Sequence, residues 1–116
     1  MAEIDRLFVN LTGDSFDDFG LRGKRYEVRA YDSRFNEKTV FRGRQVELRK
    51  AYSRGSIWTI IGDVFVLDDL SDFFQAVDYR KVEPRAKSRE DAIAENARLL
   101  KNPEKYIVFE VELNRR

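Results

Sequence analysis

Five segments of the chain have the pattern of β-strands, because apolar and polar residues alternate in them or because they are rich in β-branched and aromatic residues. They span residues 6–11, 25–31, 45–52, 57–67 and 106–113. The last is the most regular, with Ile107, Phe109, Val111 and Leu113 on one face. Gly62, in the middle of the fourth, predicts a bulge or a point where another group comes close to the backbone.

Two short helices are predicted between these strands. The segment TGDSFDDFGLRG offers Thr12, Asp14 and Ser15 as N-caps and ends at a glycine. The segment DLSDFFQAV follows Asp68 and Asp69, either of which can cap it. Each helix therefore has a side chain at its start that can satisfy free backbone N–H groups.

A longer helix is predicted over SREDAIAENARLLKN, which opens with Ser88 and Asp91 in a near capping-box arrangement. Ile93, Ala97 and Leu100 follow helical spacing and form its predicted buried stripe. Runs of strands with helices inserted between them favour a small α+β barrel over a parallel sheet of βαβ units. We expect this helix to pack outside the barrel or across one end.

The second strand, within RGKRYEVRAYDSRF, carries an unusual density of charge. A period of two places Tyr26, Val28 and Ala30 on one face and the charged residues on the other, namely Arg25, Glu27 and Arg29. The first face is expected in the core. The second is either a solvated sheet face or a binding site, and the pattern leaves both open.

Length and composition narrow the function. The 116 residues predict one domain over 1–116 with a single core. The absence of histidine and cysteine excludes the usual zinc ligands, disulfides and nucleophiles activated by histidine, so we expect no metal or cofactor. No export signal precedes the first strand, and no segment has the roughly 18 apolar residues of a membrane span. A cytoplasmic protein is expected.

Charge is distributed unevenly along the chain. The net charge is only +1, but residues 22–54 contain eleven Lys or Arg against four acidic residues. This basic block indicates either an anion-binding face or a set of cations that the acidic segments neutralise in space.

Several motifs occur in the order typical of one known family. They are GKRYEVRAYD, FRGRQVEL, IWTIIGDVFVL leading into LSDFFQAV, and PRAKSREDAIAENARLL before the last strand. In this order the chain resembles the ASCH domain family, whose fold is a small PUA-like mixed β-barrel with inserted helices. The family signature G-x-K-x-x-E-x-R falls on Lys24, Glu27 and Arg29. Gly23 directly precedes Lys24, and Gly43-Arg44 stands where the family has Gly-Asp.

The resemblance implies two classes of function. Many family members look like RNA-binding modules. Some small members resemble enzymes, including an acetylcytidine amidohydrolase that uses the signature lysine, a hydroxyl residue three positions later and a distant glutamate. The matching positions here are Lys24, Glu27 in place of the hydroxyl residue, and Glu83.

The first hypothesis is a module that binds RNA, a nucleotide or a nucleoside in a basic cleft. Arginine offers a planar fork and lysine a mobile point charge to phosphate or carboxylate groups. On residue chemistry alone Lys24 is more easily an anion anchor than a catalyst, and affinity should fall as salt rises. The proposed cleft residues are Lys24, Arg25, Glu27, Arg29, Arg44 and Arg49.

Aromatic residues near the basic block are candidates for base stacking. Tyr31, Phe35 and Tyr52 lie at strand ends or in connections and are either stacking or packing residues. Tyr26 and Trp58 occupy apolar strand faces and are predicted in the core.

The second hypothesis is a metal-independent hydrolase of a modified nucleoside or of RNA, with Lys24, Glu27 and Glu83 as the catalytic residues. Such a role requires that burial or neighbouring charges shift a pKa toward neutral pH. A third hypothesis is a protein-interaction domain in which segregated charge only drives association.

Overall fold

Five strands form one curled sheet in the computed structural model, which describes residues 7–51, 53 and 55–113. They are β1 (Leu7–Leu11), β2 (Tyr26–Ala30), β3 (Gln45–Lys50), β4 (Ser56–Leu67) and β5 (Tyr106–Leu113). Their order across the sheet is β1-β3-β4-β5-β2. The β1–β3 pair is parallel, and the other described pairs are antiparallel. The strong curl makes a half-barrel with β1 and β2 at its two edges, which confirms the prediction of a small α+β, barrel-like domain.

Three helices are inserted between the strands in the described part of the chain, each with a side-chain cap. They are α1 (Gly13–Leu21), α2 (Leu70–Ala76) and α3 (Arg89–Leu99), and a 3₁₀ turn covers Tyr79–Lys81. The N-caps are Thr12, Asp69 and Ser88, and all three were among the predicted candidates. None of the described helices is long and apolar enough to cross a membrane.

Two apolar clusters lie on opposite faces of the sheet, and alternate residues of β5 belong to one or the other. Ile107 and Phe109 belong to the cluster inside the curl, whereas Tyr106 and Val108 belong to the cluster under α2 and α3. Burial on both faces explains why β5 is almost continuously apolar rather than strictly alternating.

One prediction about the core is wrong, and a second is confirmed only in part. Trp58 lies on the sheet face opposite the buried Thr59 and is 37% exposed. On α3 the most buried residues are Ala92 and Asn96, whereas Ile93 and Leu100 are half-buried against the second cluster. The predicted stripe of Ile93, Ala97 and Leu100 is therefore half-buried, and the most buried positions lie directly beside it at Ala92 and Asn96.

Gly62 lies at a β-bulge, as its position in the fourth strand predicted. The register of β4 with β5 shifts between Ile61 and Val64, and a Cβ at position 62 would lie 2.5 Å from Glu110 Oε1. Arg25 holds this carboxylate in place, because its Nη2 donates to Glu110 Oε2 at 2.7 Å. The bulge therefore makes room for an ion pair that joins β2 to β5.

Gly62→Ala should lower the free energy of unfolding by about 1 kcal/mol, because the new methyl group forces the Glu110 carboxylate away from its position. Gly20→Ala is the matched control, since a Cβ at position 20 meets nothing within 4 Å and alanine is a better helix former than glycine. Denaturant unfolding of both variants measures the difference.

The same substitution in a Glu110→Ala background should cost little, because the clashing carboxylate is gone. An equal cost in both backgrounds would show that Glu110 is not the reason for glycine at this position.

Candidate functional site

The two edge strands of the half-barrel approach each other along a seam. Arg29 on β2 spans it, because its Nη2 donates to the carbonyl oxygen of Asn10 on β1 at 3.2 Å. A cleft of about 260 Å³ opens at the seam. Its lining combines polar and apolar side chains from β1, the start of α1, the turn before β2, β2, the connection before α3 and the end of α3: Asn10, Leu11, Thr12, Ser15, Lys24, Glu27, Val28, Arg29, Glu83, Asn96, Leu99 and Leu100.

Lys24 lies at the centre of this cleft and is only 6% exposed. Its Nζ is 3.2 Å from Glu27 Oε1, 4.0 Å from Glu83 Oε1 and 5.0 Å from the centroid of the Phe19 ring. The turn that delivers it uses Gly23 at a positive φ of 79°, which glycine adopts without steric cost. The structure thus brings together the three residues predicted as catalytic.

Glu27 is buried rather than part of a solvated charged row. Neither face of β2 is open to solvent at this point. Val28 packs under α2 and α3, and Glu27 lies in the cleft at the seam. Arg29 Nε donates to Glu27 Oε2 at 2.7 Å while Lys24 approaches Oε1. Burial alone would raise the pKa of Glu27, but these two cations hold it below its ordinary value of 4.5.

Glu83 has the opposite electrostatic character. Burial raises the pKa of Glu83, Lys24 and Arg85 oppose the change, and the negative charges of Asp18 and Glu27 add to it. Two carboxylates with pKa values shifted in opposite directions therefore flank one lysine, which is the arrangement that separates an acid/base group from a permanent anion.

The other predicted arginines lie away from the cleft and have partners of their own. Arg25 bonds to Glu110, and Arg49 donates from Nε to Glu47 at 3.0 Å while its guanidinium lies 3.9 Å from the centroid of the Phe8 ring. Arg44 donates from Nη1 to the Thr39 carbonyl at 2.6 Å. Arg25 and Arg49 are therefore paired with carboxylates, but Glu47 lies within the basic block and Glu110 outside both acidic segments.

The aromatic candidates are also dispersed. The Tyr31 hydroxyl donates to the Glu37 carboxylate, and Lys105 Nζ lies 5.4 Å from the centroid of the Tyr31 ring. Phe35 is buried in the cluster inside the curl and is a packing residue. Tyr52 lies outside the residues that the structure describes. Tyr26 is half-buried against Phe73, with ring centroids 5.3 Å apart.

Two polar residues of the site were missed from the sequence. Asn96 is 7% exposed, lines the cleft and donates from Nδ2 to the Ala92 carbonyl at 2.8 Å. Asp18 is 1% exposed and accepts hydrogen bonds from Arg22 and Arg85. The sequence would have predicted a buried Asn96 only if the buried face of the helix had been centred on Ala92 and Asn96. No local pattern indicates that Asp18 pairs with a residue 67 positions away.

Within the described ranges, no group of three or more His, Cys, Asp or Glu residues could hold a metal ion. The cleft instead offers one ammonium, one guanidinium and two carboxylates, with a formal sum of zero when all are charged. Such a set can bind a polar, uncharged molecule through several hydrogen bonds, or move a proton through Glu83.

Two solved structures are similar to this chain, and neither is described by a function. The chain is similar to the crystal structure of hypothetical protein PH0355, with a TM-score of 0.74 and 13% identity over 95% of this chain and 100% of the other. It is also similar to the solution structure of protein PF0455 from Pyrococcus furiosus, with a TM-score of 0.71 and 16% identity over 97% and 100% of the two chains. These likenesses establish the fold alone. No protein-family model and no curated protein matches the chain, so the ASCH resemblance stays a prediction.

Glu27→Gln should destabilise the protein by roughly 3 kcal/mol at neutral pH, because Lys24 and Arg29 lose a buried anion. Since the pKa of Glu27 is lower in the folded than in the unfolded protein, its contribution is complete well above pH 4.5. The difference between parent and variant should shrink as the pH falls through the lowered pKa. Denaturant unfolding at several pH values measures it.

Glu83→Gln should show the opposite pH dependence. Because burial raises the pKa of Glu83 in the folded state, its charged form costs stability above that pKa, and the cost disappears as the pH falls toward 4.5. The variant should therefore gain on the parent at neutral pH and not in acid. Glu90→Gln, whose side chain is 76% exposed, controls for the loss of one negative charge. The same sign for both cleft variants would contradict the opposed shifts.

Proposed function

We propose that the cleft at the seam binds a nucleoside-sized ligand, as a free nucleoside or nucleotide or as one base of an RNA, on a PUA-like barrel. The observation that carries the proposal is that Lys24, Glu27, Arg29 and Glu83 line one cleft of about 260 Å³. That volume lies just below the range of sites for drug-sized molecules, which suits a single nucleoside better than a strand.

The buried charges of the cleft lower the stability of the folded protein. Removing Lys24 and Glu27 from water costs free energy, and their mutual attraction offsets only part of this cost. Well-packed apolar side chains at such positions often give a more stable protein. Perturbed, buried charges in a cleft are typical of functional sites. A ligand that hydrogen-bonds to these groups gives a reason for keeping them.

Ion pairing in the basic block favours a base over a phosphate backbone as the recognised group. Arg25, Arg42 and Arg49 each contact a carboxylate, on Glu110, Asp63 and Glu47 respectively. Counterion release requires cations that neutralise phosphates, and these arginines are already neutralised. Inside the cleft the donors and acceptors instead match the mixed hydrogen-bonding edge of a nucleobase, and Leu99 and Leu100 supply apolar wall.

The resemblance to the ASCH family supports the nucleoside class. The signature residues Lys24, Glu27 and Arg29 are among those that line the cleft, and Glu83, the match to the distant glutamate, faces them. The resemblance itself comes from the order of the motifs along the chain, so it supports the nucleoside class separately from the buried charges.

Calorimetric titration with nucleosides, nucleotides and short RNAs tests the proposal. Lys24→Gln and Arg29→Ala should each weaken binding about tenfold or more, since each removes a charged hydrogen-bond donor. Arg49→Ala should bind like the parent, because Arg49 lies outside the cleft. Affinity should depend only weakly on salt.

Two results would contradict this site. One is equal binding by Lys24→Gln and the parent. The other is a steep loss of affinity with salt that Arg49→Ala reduces, which would place phosphate contacts on the outer face of the sheet.

The opposed pKa shifts of Glu27 and Glu83 favour a second candidate function, hydrolysis of an N-acylated nucleoside such as acetylcytidine. In this mechanism Glu83 takes a proton from water as the water oxygen bonds to the acyl carbon. The ammonium of Lys24, fixed by Glu27, stabilises the negative charge that develops on the carbonyl oxygen. The C–N bond then breaks and Glu83 returns the proton to the leaving amine.

Turnover of acetylcytidine should fall by about 10²-fold or more in Glu83→Gln and in Lys24→Gln, because the first removes the base and the second the charge that stabilises the oxyanion. The rate should rise with pH through the raised pKa of Glu83 and should resist chelators, since no step uses a metal ion. Arg49→Ala is the control. Turnover that survives Glu83→Gln would exclude this mechanism, and absence of turnover in the parent would leave binding alone.

A further inference from the structure

Asp18 is a buried carboxylate that the proposed function does not use. It lies in the last turns of α1 and is 1% exposed. Arg22 Nη1 donates to its Oδ1 at 2.9 Å, and Arg85 Nε lies 3.1 Å and 3.2 Å from its two oxygens. Phe19 already anchors α1 in the core, so apolar packing of the helix does not require a buried charge here.

Asp18 connects the two parts of the chain that carry the reactive groups of the cleft. Its carbonyl oxygen accepts from the backbone N–H of Lys24 at 3.0 Å. Its carboxylate binds Arg85, two residues after Glu83 in the connection between the 3₁₀ turn and α3. One residue therefore contacts both the turn that delivers Lys24 and the connection that delivers Glu83.

The connection that carries Glu83 transmits this anchoring through its own hydrogen bonds. The backbone N–H of Glu83 donates to the Tyr79 carbonyl at 2.8 Å, and that of Ala86 donates to the Glu83 carbonyl at 3.0 Å. Arg85 lies inside this second turn, so its attachment to α1 constrains the direction in which Glu83 points.

We infer that Asp18 is the positioning residue of the cleft: through Arg85 it holds Glu83 half-buried and facing Lys24. This inference rests on the proposed function for its consequence in ligand binding, but the geometry can be tested without a ligand.

The pKa of Glu83 in the variants distinguishes an effect of the charges of Asp18 and Arg85 from an effect of their contact on the position of Glu83. The charged groups that face Glu83 are Lys24 before β2, Glu27 on β2, Asp18 on α1 and Arg85 on its own segment. If Asp18 and Arg85 acted only as charges, removing the anion would lower the pKa of Glu83 and removing the cation would raise it. If they act as a clamp, breaking it from either side hydrates Glu83 and lowers its pKa in both variants.

The experiment is an NMR titration of the Glu83 side-chain carboxyl carbon in the full chain, with no ligand present. Asp18→Asn and Arg85→Ala should both lower the pKa of Glu83. Arg22→Ala is the matched control, because Arg22 also bonds to Asp18 but lies on the α1 side of the contact, and it should leave the pKa of Glu83 unchanged. Arg85 is 43% exposed at its side chain, so its replacement keeps the test valid if Asp18→Asn unfolds.

A higher pKa of Glu83 in Arg85→Ala, or an equal decrease in Arg22→Ala, would overturn the positioning role. In a nucleoside titration, Arg85→Ala should bind roughly tenfold more weakly than Arg22→Ala, as expected for loss of a residue that orients a binding group. If no nucleoside binds the parent, the proposed function fails while the carboxyl titration still decides the role of Asp18. If the parent binds and the two variants bind equally, the positioning role fails while the proposed function stands.

Discussion

The need to neutralise Glu27 inside the protein organises the seam of the half-barrel. A carboxylate that is 5% exposed must have partners, and it has Lys24 on one oxygen and Arg29 on the other. Arg29 also reaches the carbonyl of Asn10 on the opposite edge of the sheet. The same guanidinium that neutralises Glu27 therefore bridges two edge strands that do not pair directly, and the cleft exists in the gap that it spans.

Local ion pairing also reduces the exposed positive charge that the basic block would otherwise present. A strand period of two and the antiparallel neighbours bring arginines and carboxylates together, as for Arg49 with Glu47 along β3 and Arg25 with Glu110 across β2 and β5. Each such pair cancels in the far field. Charge counted along a sequence therefore overstates the attraction of a folded domain for phosphates whenever strands alternate the two signs.

Local sequence patterns predicted the strands and the helices, and the caps Thr12, Asp69 and Ser88 were among the candidates, because these features depend on neighbours within a few residues. The same patterns also placed the bulge at Gly62. They failed for Trp58, since alternation cannot tell which face of a strand is covered when apolar residues occur on both. The grouping of Lys24, Glu27 and Glu83 came from the family resemblance, whereas Asp18 was missed because its partner Arg85 meets it only in the folded chain.

The proposed binding and the proposed hydrolysis both use Glu83, and the same physical cause underlies its part in each. Burial, with a further contribution from the negative charge of Asp18, raises the pKa of Glu83, so Glu83 holds its proton to a higher pH than an exposed glutamate does. Lys24 Nζ lies 4.0 Å from Glu83 Oε1 and 3.2 Å from an oxygen of Glu27, whose pKa is lowered. A matching ligand must present an acceptor to Lys24 beside a group that shares a proton with Glu83. An amide or lactam edge has both, with its carbonyl toward the ammonium and its nitrogen toward the carboxyl. The chemistry of the cleft thus favours ligands with such an edge over ligands that offer only phosphate charge.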